Sequence, residues 1–374
     1  MTQSISLENE LRITRHDLEQ TLTEVGIAWH RVDLQGTSSI IVSSYGGRIY
    51  GPFSGADSLS MNWVPDAFGE SERLRDMVTS RRWNVGGERN WVGPEIRYMI
   101  PDRMDYWESY DLPSHMDPGT HTLEASDRGV NLTSNFELES YLAPTGTVQF
   151  TLDLQVAAAA NPLRQLQDFD ARFAMITFAG YASTVVLSQS STDTILSESW
   201  NLNQVLPGGI ALIPTTTTPE VTDYYEPVGD NLSSVSGGVA VKLSGDRRFK
   251  IGVKAAQNFG RLGYVRRDVA GALVLTIRSF PNDPSAEYTE EPDFAPGVNG
   301  DSIHLYNDDG GLGGFAELEA RGRTVGQAAG QTASSDRFTT WCYQGTSVDL
   351  NKVAHQLLGV GIPDYLLVDI GEAS

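Results

Sequence analysis

Apolar and polar residues alternate along much of the chain with a period of two, the mark of a strand buried on one face. Residues 147–156, TVQFTLDLQV, follow this pattern, and so do residues 238–243, GVAVKL, with Val239, Val241 and Leu243 on one side. Shorter apolar runs at 38–44, 46–50, 184–187, 209–213, 249–253, 272–278 and 365–369 read as further strands. Gly, Pro, Asn and Asp punctuate the gaps, as in residues 280–284, FPNDP. Helical spacing is rare. Thr14 can cap a helix with Asp17 three residues on, Leu18, Leu22 and Val25 share a face, and Gly26 stops it. Residues 70–79 and the stretch after Ser347, with Val353, Leu357 and Leu358 inward, predict two more. Many strands without βα alternation predict a mainly β protein, a large antiparallel sandwich with a few short helices. No linker divides residues 1–374, so one domain is expected, with 215–218 and 287–293 as surface loops.

Composition narrows the function classes. The 374 residues include 48 Asp and Glu against 27 Lys and Arg, a formal charge of -21. Such a field repels phosphate backbones and anionic headgroups, so neither nucleic acid nor a membrane surface is an expected partner. The apolar fraction of 40% suffices for a packed core. The lone Cys342 lies in an apolar run and reads as a small core residue, which excludes an internal disulfide. The first twenty residues lack the basic start and apolar run of a signal peptide, and no stretch reaches the ~20 apolar residues of a membrane span. A cytoplasmic location is the expectation.

The densest chemistry lies in residues 83–95, WNVGGERNWVGPE, with two Trp, two Glu and one Arg among three Gly. Aromatic faces stack on the C–H side of a sugar ring, while guanidinium and carboxylate forks pair with hydroxyls. Arg89, Trp91 and Glu95 are therefore candidate sugar-binding residues, and Trp91 the expected stacking platform. Two Glu-Leu-Glu triplets occur, at 137–139 and 317–319, and in a strand each sets both carboxylates on one face. A solvated strand face is the plainer reading of the first.

Several segments together resemble the galactose-mutarotase-like superfamily. They are GGRIY at 46–50, MNW at 61–63, GGERNW at 86–91 with GPE at 93–95, WNLNQVLPGG at 200–209, FKIG at 249–252 with GY at 263–264, IHLYN at 303–307 and FAELE at 315–319. They run in order over most of the chain. The resemblance implies a β-supersandwich whose concave face binds carbohydrate. In aldose 1-epimerases of this superfamily a late-strand Glu is the base and a mid-chain His the acid. The Glu maps to Glu317 or Glu319, with Glu319 the better match. The His has no counterpart: Asn201, Asn203 and Gln204 stand there instead.

Glu319 is thus the expected base, with Glu317 beside it and His304, by alternation in residues 302–307, as a companion in the cleft. Arg48 and Arg89 are the expected clamps, with Gln204 on the central strand. Residues 254–264 are expected to form a loop beside the cleft, carrying Arg261 and Tyr264. A Tyr with a nearby Arg serves β-elimination on uronates, which makes Tyr264 the pivot of a lyase alternative. Hydrolysis would need two carboxylates roughly 5–10 Å apart, for which Glu95 and Glu319 are nominated. A sugar-binding protein without catalysis is the remaining alternative. The ligand in each case is a mono- or oligosaccharide.

His16 and His30, in or beside the first helix, and His355 in the last read as structural. His115 and His121 share a loop with Asp117 and Glu124, a combination open to a metal reading. No cofactor is required by these readings, although acidic loops such as residues 306–309, YNDD, offer oxygen ligands to a divalent cation.

Overall fold

The structure, a computed structural model, describes residues 13–190, 194–216, 218–268 and 271–364. Its strands form two large antiparallel sheets. The nine-stranded sheet runs from edge to edge as Trp29–Asp33, Ser39–Ser43, Arg48–Phe53, Glu88–Gly93, Ser197–Val205, Ala316–Val325, Asp301–Asn307, Phe249–Lys254 and Val221–Asp223. The ten-stranded sheet runs Leu232–Val235, Gly238–Leu243, Gly209–Pro214, Arg261–Arg267, Leu273–Ser279, Ala333–Gly345, Thr177–Gln189, Gly146–Ala158, Gly129–Ser140 and Thr122–Ser126. Every strand pair is antiparallel, so the expected sandwich is present. Residues 365–369, read as a strand from sequence, lie outside the described residues.

Period-two alternation explains how the layers meet. Ile303, Leu305, Leu318 and Ala320 point from the nine-stranded sheet into one core that also takes Leu152, Leu154, Val185 and Leu187 from the other sheet. Cys342 is buried in the Ala333–Gly345 strand, as expected. The outer face of the ten-stranded sheet is covered by the Ser347–Leu358 helix, whose Leu350, Val353 and Leu357 pack on Leu212, Leu275 and Ile277. The Arg15–Val25 helix has the expected capping box of Thr14 and Asp17, and Gly26 ends it at φ 82°. It packs with the Ser71–Thr79 helix on the outer face of the nine-stranded sheet, near its first edge, against Ile41, Tyr50 and Phe53. The central strands of that outer face hold the polar cluster described below, covered by loops that include the one-turn helices Glu95–Tyr98 and Tyr106–Ser109. No helix among the described residues is long and apolar enough to cross a membrane.

Three expectations change. Residues 287–293 are not a plain surface loop: Tyr288 and Glu290 are buried, and the segment straps across the outer face of the nine-stranded sheet. His30 lies in the Trp29–Asp33 strand rather than with the helix that holds His16. Residues 254–264 form only a short 3-10 turn before entering the Arg261–Arg267 strand of the opposite sheet.

The two Glu-Leu-Glu triplets, alike in sequence, occupy opposite environments. Glu137 and Glu139 face solvent beside Gln149 and Thr147, whereas Glu317 and Glu319 are buried. Leu318 is wholly buried between the sheets. Leu318→Ala is expected to cost about 2–5 kcal/mol, and Glu137→Ala less than about 0.5 kcal/mol, in urea unfolding.

Candidate functional site

Register assembles the site. Residues directly opposite in an antiparallel pair share a face. Glu319 lies opposite His304 on one side and Leu202 on the other, and Glu317 opposite Tyr306 and Gln204. Arg89 lies opposite Leu202, Trp91 opposite Trp200, and Lys250 opposite Tyr306. Five adjacent strands therefore deliver Arg89, Trp91, Trp200, Gln204, Glu317, Glu319, Arg321, His304, Tyr306 and Lys250 to one surface. Loops close over it from residues 94–121, from Tyr224 and Tyr225, and from the strap at 287–293.

Charge pairing on this surface is dense and dry. Arg89 Nη2 donates to Glu317 Oε1 at 2.8 Å. Arg48 Nη2 and Trp91 Nε1 both donate to Asp117 Oδ2, at 2.8 and 2.7 Å. Lys250 Nζ lies 2.6 Å from Glu95 Oε2 and 3.9 Å from Glu319 Oε2. Arg321 lies 2.7 Å from Glu290 and 3.6 Å from Glu198. Four cations thus meet six carboxylates, all at most 6% exposed. A buried charge without a full partner shifts toward its neutral form.

Glu319 is where that shift concentrates. Burial is the largest cause, with Glu317 and Glu95 adding repulsion, and Lys250 and Arg321 offset only part of it. Its pKa is pushed up to about 7. Trp200 Nε1 donates to Oε2 at 2.8 Å, fixing the carboxyl, while Oε1 has no protein partner. Trp200 is itself held by the Arg321 guanidinium, 3.9 Å above its ring. Gly93 makes this possible: a Cβ there would lie 2.0 Å from Arg321 Nη1.

Two histidines border the cluster as neutral imidazoles. Burial, then Arg321 and the two lysines Lys250 and Lys254, holds His304 well below its usual value, and neither ring nitrogen has a partner. Burial lowers His121 to about 4. The imidazole of His121 lies against Gly47, where φ is 58° and a Cβ would come within 2.8 Å of the ring.

The expected site residues fare differently. Glu317, Glu319, His304, Arg89, Trp91, Glu95 and Gln204 come together, and Arg48 joins at their edge. Arg48 has its fork occupied by the carbonyls of Gly46 and Trp83 and by Asp117. Arg89 differs, because its Nε and Nη1 have no hydrogen-bond partner. Trp91 is buried beneath the Arg89 guanidinium, which sits 4.2 Å over its ring. The half-buried aromatic at the mouth is Trp83, edge-on to Trp91 at 5.7 Å, with Tyr225 and the 47% exposed Trp107 on the opposite side.

Tyr264 and Arg261 are not brought to the cluster. Both stand on the ten-stranded sheet: Tyr264 donates its hydroxyl to the Leu206 carbonyl, and Arg261 binds the Leu357 carbonyl. The expected loop beside the cleft was the error behind both. The elimination alternative thereby loses its tyrosine at this site.

Asp117, Lys250, Trp200, Arg321 and Glu290 are members the sequence reading did not select. Arg321 was legible, since alternation from Glu317 and Glu319 continues to it. Lys250 also carried a signal, being a cation inside an otherwise apolar strand. Asp117 arrives on a loop that the sequence offered only to a metal reading, and Glu290 on a segment that read as a surface loop. Among the described residues no group of three or more His, Cys, Asp or Glu is placed to hold a metal ion. Asp308, in the acidic 306–309 segment, is taken up by the N–H groups of Gly310, Leu312 and Gly314.

The chain belongs to a family of unknown function (DUF6786), whose match spans residues 21–366. No curated protein matches it. Among solved structures it is similar to a candidate aldose 1-epimerase of Escherichia coli K12, at 11% identity and a TM-score of 0.50, covering 84% of this chain and 99% of that one. It is also similar to a candidate mutarotase of Salmonella typhimurium, at 12% identity and a TM-score of 0.42, with coverage of 86% and 91%. A galactose mutarotase related enzyme of Lactobacillus acidophilus matches at 8% identity and a TM-score of 0.43, with coverage of 85% and 97%. The fold is galactose-mutarotase-like.

Removing Arg321 would strand Glu198 and Glu290 in a dry site. Arg321→Met is expected to cost about 3–5 kcal/mol in denaturant unfolding. Adding Glu290→Gln to it should restore part of that loss.

Proposed function

We propose that the chain is a carbohydrate-active enzyme that carries out acid–base chemistry at or near the anomeric carbon of a sugar, with Glu319 as base. One observation carries the reading: a buried carboxyl with a pKa of about 7, anchored through one oxygen and without a hydrogen-bond partner at the other. A base poised at the working pH is what proton transfer requires. The similarity in fold to a candidate aldose 1-epimerase supports the choice of substrate class.

The chemistry follows from the placement of groups. Glu319 Oε1 takes the proton of the anomeric hydroxyl as the bond between the anomeric carbon and the ring oxygen breaks. Negative charge then develops on the ring oxygen. The unpartnered N–H groups of Arg89 and the Lys250 ammonium are the donors on this surface that can meet it. Burial lowers the basicity of Lys250, but Glu319, Glu95 and Glu290 outweigh it and keep the amine charged. Preorganised donors in a water-poor site are worth far more than in water. Rotation about the next carbon–carbon bond and ring closure return the proton and yield the other anomer. Trp83, Tyr225 and Trp107 at the mouth would stack on the C–H face of the ring.

Only the ionised form of Glu319 accepts a proton, so turnover of a reducing sugar should rise with pH through about 7. Glu319→Gln should abolish that limb and lower kcat at least about a hundredfold, with sugar binding retained. Polarimetric or NMR anomer exchange measures both, and unchanged turnover would sink the assignment. The same shift makes a stability statement. The native state holds the Glu319 proton more tightly than the unfolded chain, so ionisation costs stability as pH rises from about 4.5 to 7. Glu319→Gln should therefore raise the denaturation midpoint at pH 8 and change it little at pH 5.

A further inference from the structure

Beside the buried cluster lies a cleft of about 1010 Å³, of whose lining the proposed chemistry uses Trp83 alone. Its lining includes Trp63, Asp76, Arg82, Trp83, Asn84 and Leu312. Small-molecule sites run from roughly 300 to 1,000 Å³, so this cleft stands at the upper end of that range. Two features tie it to the cluster. Trp83 is a wall common to both: it lines the cleft and lies 5.5 Å from the Arg89 guanidinium. Gln204 is the second link. Its Nε2 donates to Asn84 Oδ1 at 3.0 Å, and its strand position is directly opposite Glu317. Gln204 is wholly buried, and its Oε1 has no hydrogen-bond partner. Asn84 is braced from the other side by the Leu312 carbonyl, so the junction is built rather than loose.

We propose that this cleft is a second saccharide subsite, so that the ligand is an oligosaccharide with its reducing-end ring in the Glu319 site and further rings along the cleft. The proposal rests on the sugar chemistry assigned above to Glu319 and adds a substrate class to it. The side chains suit the task. The indole of Trp83 offers an apolar face, and Asn84, Asp76 and Arg82 offer donors and acceptors to hydroxyls. Asp76 and Arg82 are exposed, so a mixed polar rim surrounds the aromatic wall.

Calorimetric binding of D-glucose, D-galactose, maltotriose, cellotriose and β-1,4-galactotriose to the full chain tests this. At least one trisaccharide should bind about tenfold or more tightly than its own monosaccharide, a difference of about 1.4 kcal/mol. Leu312→Trp, which fills the cleft from a partly exposed position, should erase that advantage and leave monosaccharide affinity unchanged. Asp76→Ala combined with Arg82→Ala should reduce the same advantage without plugging the cleft. Equal affinity for trisaccharides and monosaccharides would overturn the subsite and leave the Glu319 reading standing. A trisaccharide advantage that survives Leu312→Trp would also overturn it. Failure of every sugar to bind would overturn the Glu319 reading itself, and the subsite with it.

Discussion

Four cations against six carboxylates on one dry sheet surface is the imbalance on which the rest of the site depends. In water the surplus would be screened; here it is enclosed by strands below and loops above. The pairings divide the cations unevenly. Arg321 is taken by Glu290 and Glu198, Arg89 by Glu317, Arg48 by Asp117, and Lys250 lies closer to Glu95 than to Glu319. Glu319 is left with a tryptophan N–H and a distant share of one ammonium. Burial raises its pKa, and being last in that competition leaves the rise only partly offset.

The scaffold explains why the imbalance persists. A strand surface fixes residues two apart at one height and residues opposite at short range, so Glu317 and Glu319 cannot separate without breaking the sheet. Gly93 lets the Arg321 guanidinium lie over the neighbouring tryptophan, and the strap from 287–293 brings Glu290 to both Arg321 and the Glu95 backbone. Glu290 therefore links the loop that covers the surface to the cation beneath it. The alternation that buries Leu318 and Ala320 in the core is the same alternation that turns the polar residues outward.

Much of this was legible in the sequence because it is local. The capping box at Thr14, the apolar phase of residues 147–156 and the two-residue spacing of Glu317 and Glu319 each follow from neighbours in the chain. The Glu-Leu-Glu triplets mark the limit. Their sequences agree, yet 137–139 faces solvent and 317–319 is enclosed, because enclosure is set by segments outside the triplet's own strand, from 94–121, 224–225 and 287–293. Tyr264 and Arg261 went astray for a related reason. The Gly- and Asn-containing segment before them reads as a loop, and nothing local says that the next strand joins the opposite sheet. Sheet order places Glu88–Gly93 beside Ser197–Val205, and that beside Ala316–Val325. These partners are distant in sequence, which is why the loop residues Asp117 and Glu290 could not be assigned to the site in advance.

The histidines show why the family resemblance had to be weighed against geometry. The aldose epimerase pattern calls for a mid-chain acid, and Asn201, Asn203 and Gln204 stand in that stretch. Asn201 and Asn203 point away from Glu319, toward the interior, where Asn201 binds Glu88 and Asn90. Gln204 alone turns to the outer surface, and it has no proton to give at neutral pH. His304 faces Glu319 across the strand pair, but burial and three nearby cations keep it neutral. On the proposed reading, with no acid at the usual place, charge on the leaving ring oxygen would be met by fixed donors. Arg89 Nε and Nη1 have no hydrogen-bond partner, Nε lying 3.8 Å from Asp117, and Lys250 stays cationic, so in the proposed reaction stabilisation by position would stand where proton donation stands in the family pattern. On that account the departure from the family pattern and the placement of Arg89 and Lys250 on the surface that holds Glu319 have one explanation.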